Sequence, residues 1–172
     1  MRIEEQFDIA SPIEELYAEL NDVAGIGYCI AGVKVVTVLD PDRSRWRIEQ
    51  RFGAIARTFN LEARISVRRP PEHIGFEATG QDVELTGSVE LERLSAEETH
   101  CEIVIDVNAL GPLVPLLEIF AKGPQRQLIR QTIKNIRLRL EGTPIEAPAT
   151  PEAPRGRSRL RRFLRRLLRR SD

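Results

Sequence analysis

Few side chains suited to catalysis or metal binding occur in this sequence. Its two cysteines, Cys29 and Cys101, lie far apart and predict reduced thiols, with Cys101 in the core, rather than a disulfide framework or a metal site. Its two histidines, His73 and His100, are expected at the surface. No GxGxxG, Walker, HExxH or Cys-x-x-Cys motif is present, so neither a nucleotide site nor a zinc hydrolase is indicated. We therefore expect no catalytic residues and no metal.

Long apolar runs and leader-type segments are missing as well. No stretch of about 18 apolar residues could span a bilayer, and the charged opening MRIEEQFDI does not predict a secretory signal. The sequence is 30% charged and 41% hydrophobic, which is typical of a soluble globular protein. These features predict a cytoplasmic protein.

Charge is distributed unevenly along the chain. Nine of the 26 Lys and Arg residues lie in residues 155–172, against one of the 26 Asp and Glu residues. The formal charge is therefore about −8 for residues 1–154 and about +8 for the last segment, although the whole chain is neutral. This asymmetry predicts a globular domain at 1–141 and a separate basic appendage.

Residues 1–109 follow mainly a two-residue period, which indicates strands. A first strand near residues 3–9 is followed by a helix, by a second short helix or turn within residues 25–32, and by six strands between Val33 and Ala109. The clearest strand covers residues 55–67, where apolar and polar residues alternate. Its apolar face is expected to comprise Ile55, Phe59, Leu61, Ala63, Ile65 and Val67.

The period becomes helical after residues 110–112. Ile129, Ile133 and Ile136 follow the spacing of one helix face, and Gly123-Pro124 predicts either a kink or two helices that meet there. The order β, α, α, six β and long α predicts an α+β fold. In this fold a curved antiparallel sheet of about seven strands wraps around the C-terminal helix.

Three polar residues, Glu5, Gln50 and Arg57, share a strand face with apolar neighbours. Arg57 stands between Ile55 and Phe59. It could orient a ligand carbonyl in an apolar pocket, or it could extend from the end of a strand into water. Both interpretations stay open, and a ligand contact is also considered for Gln50.

Five segments of the chain carry a resemblance to known proteins. They are FDIASPIEELYAELND at 7–22, CIAGV at 29–33, FGAI at 52–55, RRPPEHIGFEATG at 68–80 and VNALGPLVPLL at 107–117. Together they are similar to the START-like, helix-grip superfamily (SRPBCC), and within it to the family of the carbon monoxide dehydrogenase G subunit. The resemblance covers residues 1–141.

The resemblance implies a cavity for an apolar ligand beneath the long helix. It also implies an accessory role for a molybdenum-containing carbon monoxide dehydrogenase or a related oxidoreductase at a membrane. A lipophilic quinone or another lipid is the implied ligand, and no other cofactor and no catalytic motif carry over. The same side chains would also suit an ordinary filled core. The residues expected to line the cavity are Phe52, Arg57, Phe59, Leu61, Phe76, Leu85, Ile105, Leu117 and Phe120.

A proline-rich segment and a basic helix are expected after the domain. Residues 142–154, GTPIEAPATPEAP, contain four prolines and predict an extended, flexible linker. On a helical wheel the apolar side chains of residues 155–172 cover about 140° and the arginines occupy the opposite side. The residues expected to contact a membrane are Leu160, Arg161, Arg162, Phe163, Leu164, Arg165, Arg166, Leu167, Leu168 and Arg169.

This segregation favours an anionic membrane surface as the partner of the basic helix. Leucine and phenylalanine side chains would enter the acyl boundary while guanidinium groups stay at the phosphates. The alternatives are a groove on a partner protein, the acidic surface of the protein's own domain, nucleic acid, or a solvated tail. Nucleic acid would use the same arginines but needs no apolar face, so no nucleic-acid partner is expected.

Taken together, these features predict a non-catalytic protein that binds a lipophilic ligand and lies peripherally on the inner face of the cell membrane. It would serve as an adaptor or quinone shuttle of a molybdenum-containing, carbon monoxide dehydrogenase-like oxidoreductase. Two alternatives stay open. One is a cyclase or dehydratase on the same fold, which needs an acid–base pair in the cavity. The other is a membrane recruiter that holds no ligand.

Overall fold

Seven strands and four helices make up the described part of the chain, residues 1–52 and 54–143 of a computed structural model. In chain order they are β1 (Arg2–Ile9), α1 (Ile13–Asn21), α2 (Val23–Cys29), β2 (Val33–Asp40), β3 (Arg43–Phe52), β4 (Ile55–Arg69), β5 (His73–Thr79), β6 (Val83–Ser95), β7 (Glu98–Ala109), α3 (Val114–Ala121) and α4 (Pro124–Leu140). A 3₁₀ turn, Gly111–Leu113, precedes α3. This order confirms the predicted sequence of elements. Most of the predicted linker and the whole basic helix lie outside the described residues.

The seven strands form one antiparallel sheet in the order β1-β7-β6-β5-β4-β3-β2. Strands β2 to β7 follow one another as neighbours. Strand β1 pairs with β7, so that Ile3 lies opposite Ile105 and Ile9 lies opposite Thr99. Helices α1 and α2 make the connection from β1 to β2 at the opposite edge of the sheet. The predicted α+β architecture with a curved seven-stranded sheet is thereby confirmed.

Helices α1 and α2 pack on one end of the inner face of the sheet. Leu16 and Leu20 of α1 are buried there. A buried hydrogen bond joins β3 to α2, since Ser44 Oγ donates to the Val23 carbonyl oxygen at 3.0 Å. Within β3, Trp46 Nε1 donates to the same Ser44 Oγ at 2.6 Å. Because both of these donors have an acceptor, the contact fixes the helix on the sheet without leaving either group unpaired.

The C-terminal helical region consists of two helices rather than one kinked helix. Helix α3 ends at Ala121, and α4 begins at Pro124 after Gly123. Proline suits the first position of a helix because it lacks an amide hydrogen that would have no partner there. None of the described helices is long and apolar enough to cross a bilayer.

The predicted apolar face of β4 is wrong at Val67. Ile65 lies opposite Phe76 but Val67 lies opposite Gly75, so that Ser66 is an extra residue in a β-bulge. An extra residue moves the side chains that follow it to the other face of the sheet. Val67 is accordingly 46% exposed.

Candidate ligand cavity

Burial decreases along the strands from one end of the inner face to the other. On β7 the side chain of Cys101 is buried, whereas that of Ile105 is half-buried. On β1 the side chain of Ile9 is buried, whereas that of Ile3 is half-buried. Protein interiors are normally close-packed. Apolar side chains that point inward and still remain accessible therefore face a space that the protein does not fill.

This space is a cavity of about 320 Å³. Strands β1 and β3–β7 form its wall, residues of α1 and α2 close the packed end, and α3 and α4 cover it. Pockets for small molecules typically enclose about 300–1,000 Å³ and are mostly apolar. The cavity is thus large enough for a ligand of several rings or a folded alkyl chain.

Seven of the nine residues predicted for a ligand cavity line this one. They are Phe59, Leu61, Phe76, Leu85, Ile105, Leu117 and Phe120. The side chain of Phe52 lies outside the described part of the structure. Contact of these residues with a ligand remains a prediction.

Arg57 lies on the inner side of the sheet but outside the cavity lining. Its register partner is Gln50, which lines the cavity, and directly paired residues project from the same face of a sheet. Arg57 is nevertheless exposed, because it stands closer to the β3–β4 hairpin than Phe59 does. Its position therefore fits a strand end near water better than an apolar pocket.

A glycine opposite Phe76 leaves the space that the aromatic ring occupies on the cavity wall. Gly87 is the register partner of Phe76 on β6. A Cβ atom at Gly87 would lie 2.3 Å from Cζ of Phe76 and 2.7 Å from the carbonyl oxygen of Val104. No side chain can occupy that position without displacing the ring or the backbone.

Sequence reasoning missed the part of the cavity wall that the α2 region and α4 contribute. Two pairs of isoleucines line the cavity beside the sheet residues. One pair is Ile26 of α2 and Ile30, which follows α2, and the other is Ile129 and Ile133 of α4. Both pairs have the four-residue spacing of one helix face. For α4 this spacing predicts an apolar face but does not show that the face borders a cavity, and for α2 the glycines of the segment obscure the spacing.

Three polar residues on the inner faces of their elements reach the described cavity lining: Glu5, Gln50 and Thr132. Thr132 Oγ1 accepts a hydrogen bond from the Ala31 amide at 3.1 Å, so its polar group already has a partner. The side chains of Glu5 and Gln50 form no hydrogen bond or ion pair within residues 1–52 and 54–143. These two groups are available to a ligand.

Polar contacts fasten the C-terminal half of α4 to α1 and α2. Arg139 forms an ion pair with Glu19 and donates to the carbonyl oxygen of Gly25 at 3.2 Å. Asn135 Nδ2 donates to the carbonyl oxygen of Cys29 at 2.9 Å. Because these contacts lie at the packed end, they hold α4 in place while its first turns and α3 cover the cavity.

A match to a family model establishes the protein family of this chain. The model of CoxG, the G subunit of carbon monoxide dehydrogenase, matches residues 6–141, which is most of the chain. The chain belongs to the CoxG family. The resemblance drawn from the sequence is confirmed. A comparison with curated proteins gives no match.

Solved structures show that this CoxG-family protein has the START-like fold. A conserved protein from Geobacillus kaustophilus matches with a TM-score of 0.70 at 17% identity, over 83% of this chain and 96% of its own. A START superfamily protein from Mycobacterium smegmatis matches with a TM-score of 0.64 at 13% identity, over 82% and 97%. The Zhui aromatase/cyclase from Streptomyces sp. R1128 matches with a TM-score of 0.55 at 17% identity, over 80% and 94%. At these identities the likeness concerns the fold alone.

The thiols of the CoxG-family chain are buried and protonated at neutral pH. Burial raises the pKa of Cys29 to about 11 and that of Cys101 to about 12. A protonated thiol is a poor nucleophile and a poor metal ligand. Within residues 1–52 and 54–143, no group of three His, Cys, Asp or Glu side chains is arranged to hold a metal ion.

The two histidines of this family member pair with carboxylates away from the cavity. His73 Nδ1 contacts Glu90, and His100 Nδ1 contacts Asp8 at 2.6 Å. His100 alternates along β7 with the inward-facing Cys101, as predicted from strand parity. Neither histidine belongs to the cavity lining.

Proposed function

We propose that this protein binds a lipophilic small molecule between the sheet and helices α3 and α4 and catalyses no reaction on it. The supporting observation is the unfilled apolar half of the inner face, where Leu85, Ile103 and Ile105 remain half-buried. An apolar ligand would remove this surface from water, which stabilises a complex by roughly 25 cal/mol per Å². A carrier protein requires burial of its ligand and a route by which the ligand enters the cavity, but it requires no reactive group.

A quinone is the ligand class that we propose. The family takes its name from carbon monoxide dehydrogenase, an oxidoreductase whose electrons must pass to an acceptor. A planar conjugated ring would pack well against the aromatic side chains of Phe59, Phe76 and Phe120, since aromatic pairs gain about 0.5–1.5 kcal/mol beyond their buried area. The protein would then act as an adaptor or shuttle for a molybdenum-containing dehydrogenase of this type.

Exposed apolar side chains near α3 support access from a membrane. Leu110, Val114 and Ile119 are 53%, 43% and 42% exposed. They belong to the same stretch as Leu117 and Phe120, which line the cavity. A cover of this kind could lie against lipid while a ligand enters beneath it.

The basic segment at residues 155–172 would hold the domain at the inner leaflet. Each arginine near an anionic surface contributes about 1 kcal/mol, and each buried leucine or phenylalanine contributes about 1.5–3 kcal/mol. Micromolar binding needs about −8 kcal/mol. The segment has enough residues of both kinds to exceed this value after the cost of ordering.

Lipid extraction from the purified protein tests the ligand proposal. We expect organic extracts of the full chain to contain a quinone or another lipophilic molecule in near-stoichiometric amount by mass spectrometry. We also expect the delipidated protein to take up added quinone. A protein without an extractable ligand that takes up no quinone would contradict the proposal and favour the recruiter alternative.

Vesicle flotation tests the membrane proposal separately. We expect the full chain to float with vesicles that contain anionic lipid, and a Leu164→Asp/Leu167→Asp variant to lose at least about tenfold in affinity because charge enters the apolar face. The matched control, Arg161→Lys/Arg165→Lys, keeps the charge and should float like the parent. Equal flotation of the aspartate variant would exclude insertion of this face.

The cyclase or dehydratase alternative would need an acid–base pair on the inner face. Glu5 is one titratable side chain there. Arg64 and Glu77 also border the cavity, but they alternate with inward-facing residues and pair with each other at 2.7 Å. The similarity to an aromatase/cyclase concerns the fold alone, so binding without catalysis is the function that we favour.

A further inference from the structure

Glu5 places a carboxylate on the wall of an otherwise apolar region of the cavity. It lies between Ile3 and Phe7 on the inner face of β1, and its register partner on β7 is Ile103. Within the described ranges, 1–52 and 54–143, this carboxylate takes part in no hydrogen bond and no ion pair. Filling a packed core does not require such a residue, so its presence needs another explanation.

Within the described part of the chain, no cationic group forms an ion pair with Glu5. The α-amino group of Met1 also belongs to the cavity lining, but it donates to the carbonyl oxygen of Val107 at 2.6 Å. Arg130 and Lys134 of α4 are exposed, and neither forms an ion pair with Glu5. Since no described residue is a partner of the carboxylate, water or the ligand is the partner that we consider.

A ligand that fills the cavity displaces water from Glu5. An ionised carboxylate can only accept hydrogen bonds. A ligand with a hydroxyl or N–H group aimed at Glu5 replaces the lost water contacts. A ligand that offers only C–H groups or acceptor oxygens leaves a buried charge without a partner, which opposes binding strongly.

We infer that Glu5 selects ligands that carry a hydrogen-bond donor, so that the cavity prefers the reduced, dihydroxy form of a quinone to the oxidised form. The inference rests on the proposed function and deepens it. The two carbonyl oxygens of a quinone are acceptors, whereas the two hydroxyl groups of its reduced form are donors. Gln50 both donates and accepts, and is therefore compatible with either form.

A pair of probes that differ in one group tests the role of Glu5. 2-Naphthol and 2-methylnaphthalene have nearly the same shape, but only the first has a donor. We expect Glu5→Leu to weaken the binding of 2-naphthol about 10- to 100-fold, the range that a hydrogen bond to a charged group provides. The same variant should bind 2-methylnaphthalene at least as tightly as the parent does, because a buried charge has been removed. Titration calorimetry on the full chain gives both affinities.

Two further variants separate donor recognition from a general effect of substitution. Glu5→Gln keeps the shape and one acceptor oxygen and should retain part of the 2-naphthol affinity. Glu4→Gln, the matched control on the outer face of the same strand, should change neither affinity. If Glu5→Leu alters the affinity for both probes by the same factor, the inference is wrong.

A redox pair tests the preference directly. We expect the reduced diol of 2,3-dimethyl-1,4-naphthoquinone, kept anaerobic, to bind the parent protein at least about tenfold more tightly than the quinone, and Glu5→Leu to remove this difference. Equal binding of both forms by the parent would overturn the inference and leave the proposed function intact. Failure of every probe to bind parent and variants would overturn both.

Discussion

Phe76 occupies the cavity wall because the residue opposite it has no side chain. At Gly87 a single methyl group would meet the ring and the Val104 carbonyl oxygen. The sequence shows a glycine within an alternating strand, which by itself indicates only a close approach of some kind. The structure identifies the neighbour as an aromatic ring of the proposed binding site.

Gly87→Ala should therefore destabilise the folded protein strongly for a substitution that adds one methyl group. We expect it to lower the free energy of unfolding by about 1–3 kcal/mol, the range for adding a carbon atom where neighbouring atoms leave no room for it, as measured by urea denaturation. Adding Phe76→Leu should recover part of the loss, since the ring atoms nearest to the new methyl group are removed. Ser88→Ala, at the next position of β6, serves as control. A Gly87→Ala protein as stable as the parent would contradict the steric account.

Alkaline pH should destabilise the protein through its two buried thiols. In the folded chain burial raises the pKa of Cys29 to about 11 and that of Cys101 to about 12, above the ordinary value of 9.0. The unfolded chain loses these protons first, so the contribution of the thiols is present below about pH 9 and declines as the pH rises towards 12. Unfolding midpoints between pH 8 and 11 measure this decline.

Thiol labelling checks the same point independently. At pH 8 we expect a disulfide reagent to label the native protein at least about tenfold more slowly than the urea-unfolded protein, because only a minor fraction of buried thiols is ionised. Rapid labelling of both native thiols would show that they are accessible.

At the scale of the elements, the two halves of helix α4 have different structural roles. Its C-terminal half is fixed to α1 and α2 by Asn135 and Arg139. Its first half, with Ile129 and Ile133, covers the cavity. Helices α3 and α4 are separate and meet at residues 122–124. The segment that covers the cavity, α3 with the first half of α4, can therefore differ in stability from the C-terminal half of α4.

Arg139→Met should weaken this attachment. Arg139 and Glu19 are 31% and 16% exposed, so we expect a loss of about 1–3 kcal/mol, less than for a fully buried pair that loses one partner. Arg130→Met is the matched control on the exposed side of the same helix and should change stability by less than about 0.5 kcal/mol. Equal effects of the two substitutions in thermal unfolding would contradict the assigned role of Arg139.

The sequence predicts the elements well because their periods are clear. Alternation along β4 and four-residue spacing along α4 are local signals, and both appear in the structure. The bulge at Ser66 has no such signal, so the exposure of Val67 could not be foreseen. Strand parity also could not show that Glu5 and Gln50 reach a cavity whereas Arg57 stays at its margin, since parity gives the face of a residue and not its depth.

On the scale of the whole molecule, the sheet has one packed end and one hollow end. Periodicity cannot distinguish these ends, because apolar residues such as Cys101 and Ile105 look alike in sequence and differ only in what lies opposite them. The hollow end lies beside the exposed residues Leu110 and Val114, and the proposed membrane segment at 155–172 follows α4 in the chain. We propose that the open half of the domain and the tether serve one purpose, the transfer of a lipophilic molecule.

Trp46 provides the most direct test of the cavity as a binding site. It is the one tryptophan of the chain, it lines the cavity, and its indole is held by Ser44. We expect 2,3-dimethyl-1,4-naphthoquinone to quench its fluorescence with a saturable, one-site dependence. A Leu85→Phe/Ile105→Phe variant, which narrows the cavity, should weaken this quenching at least about fivefold, whereas Thr86→Phe on the outer face should not. Quenching that stays linear with quinone concentration and is the same in all three proteins would contradict the proposal that this cavity binds a ligand.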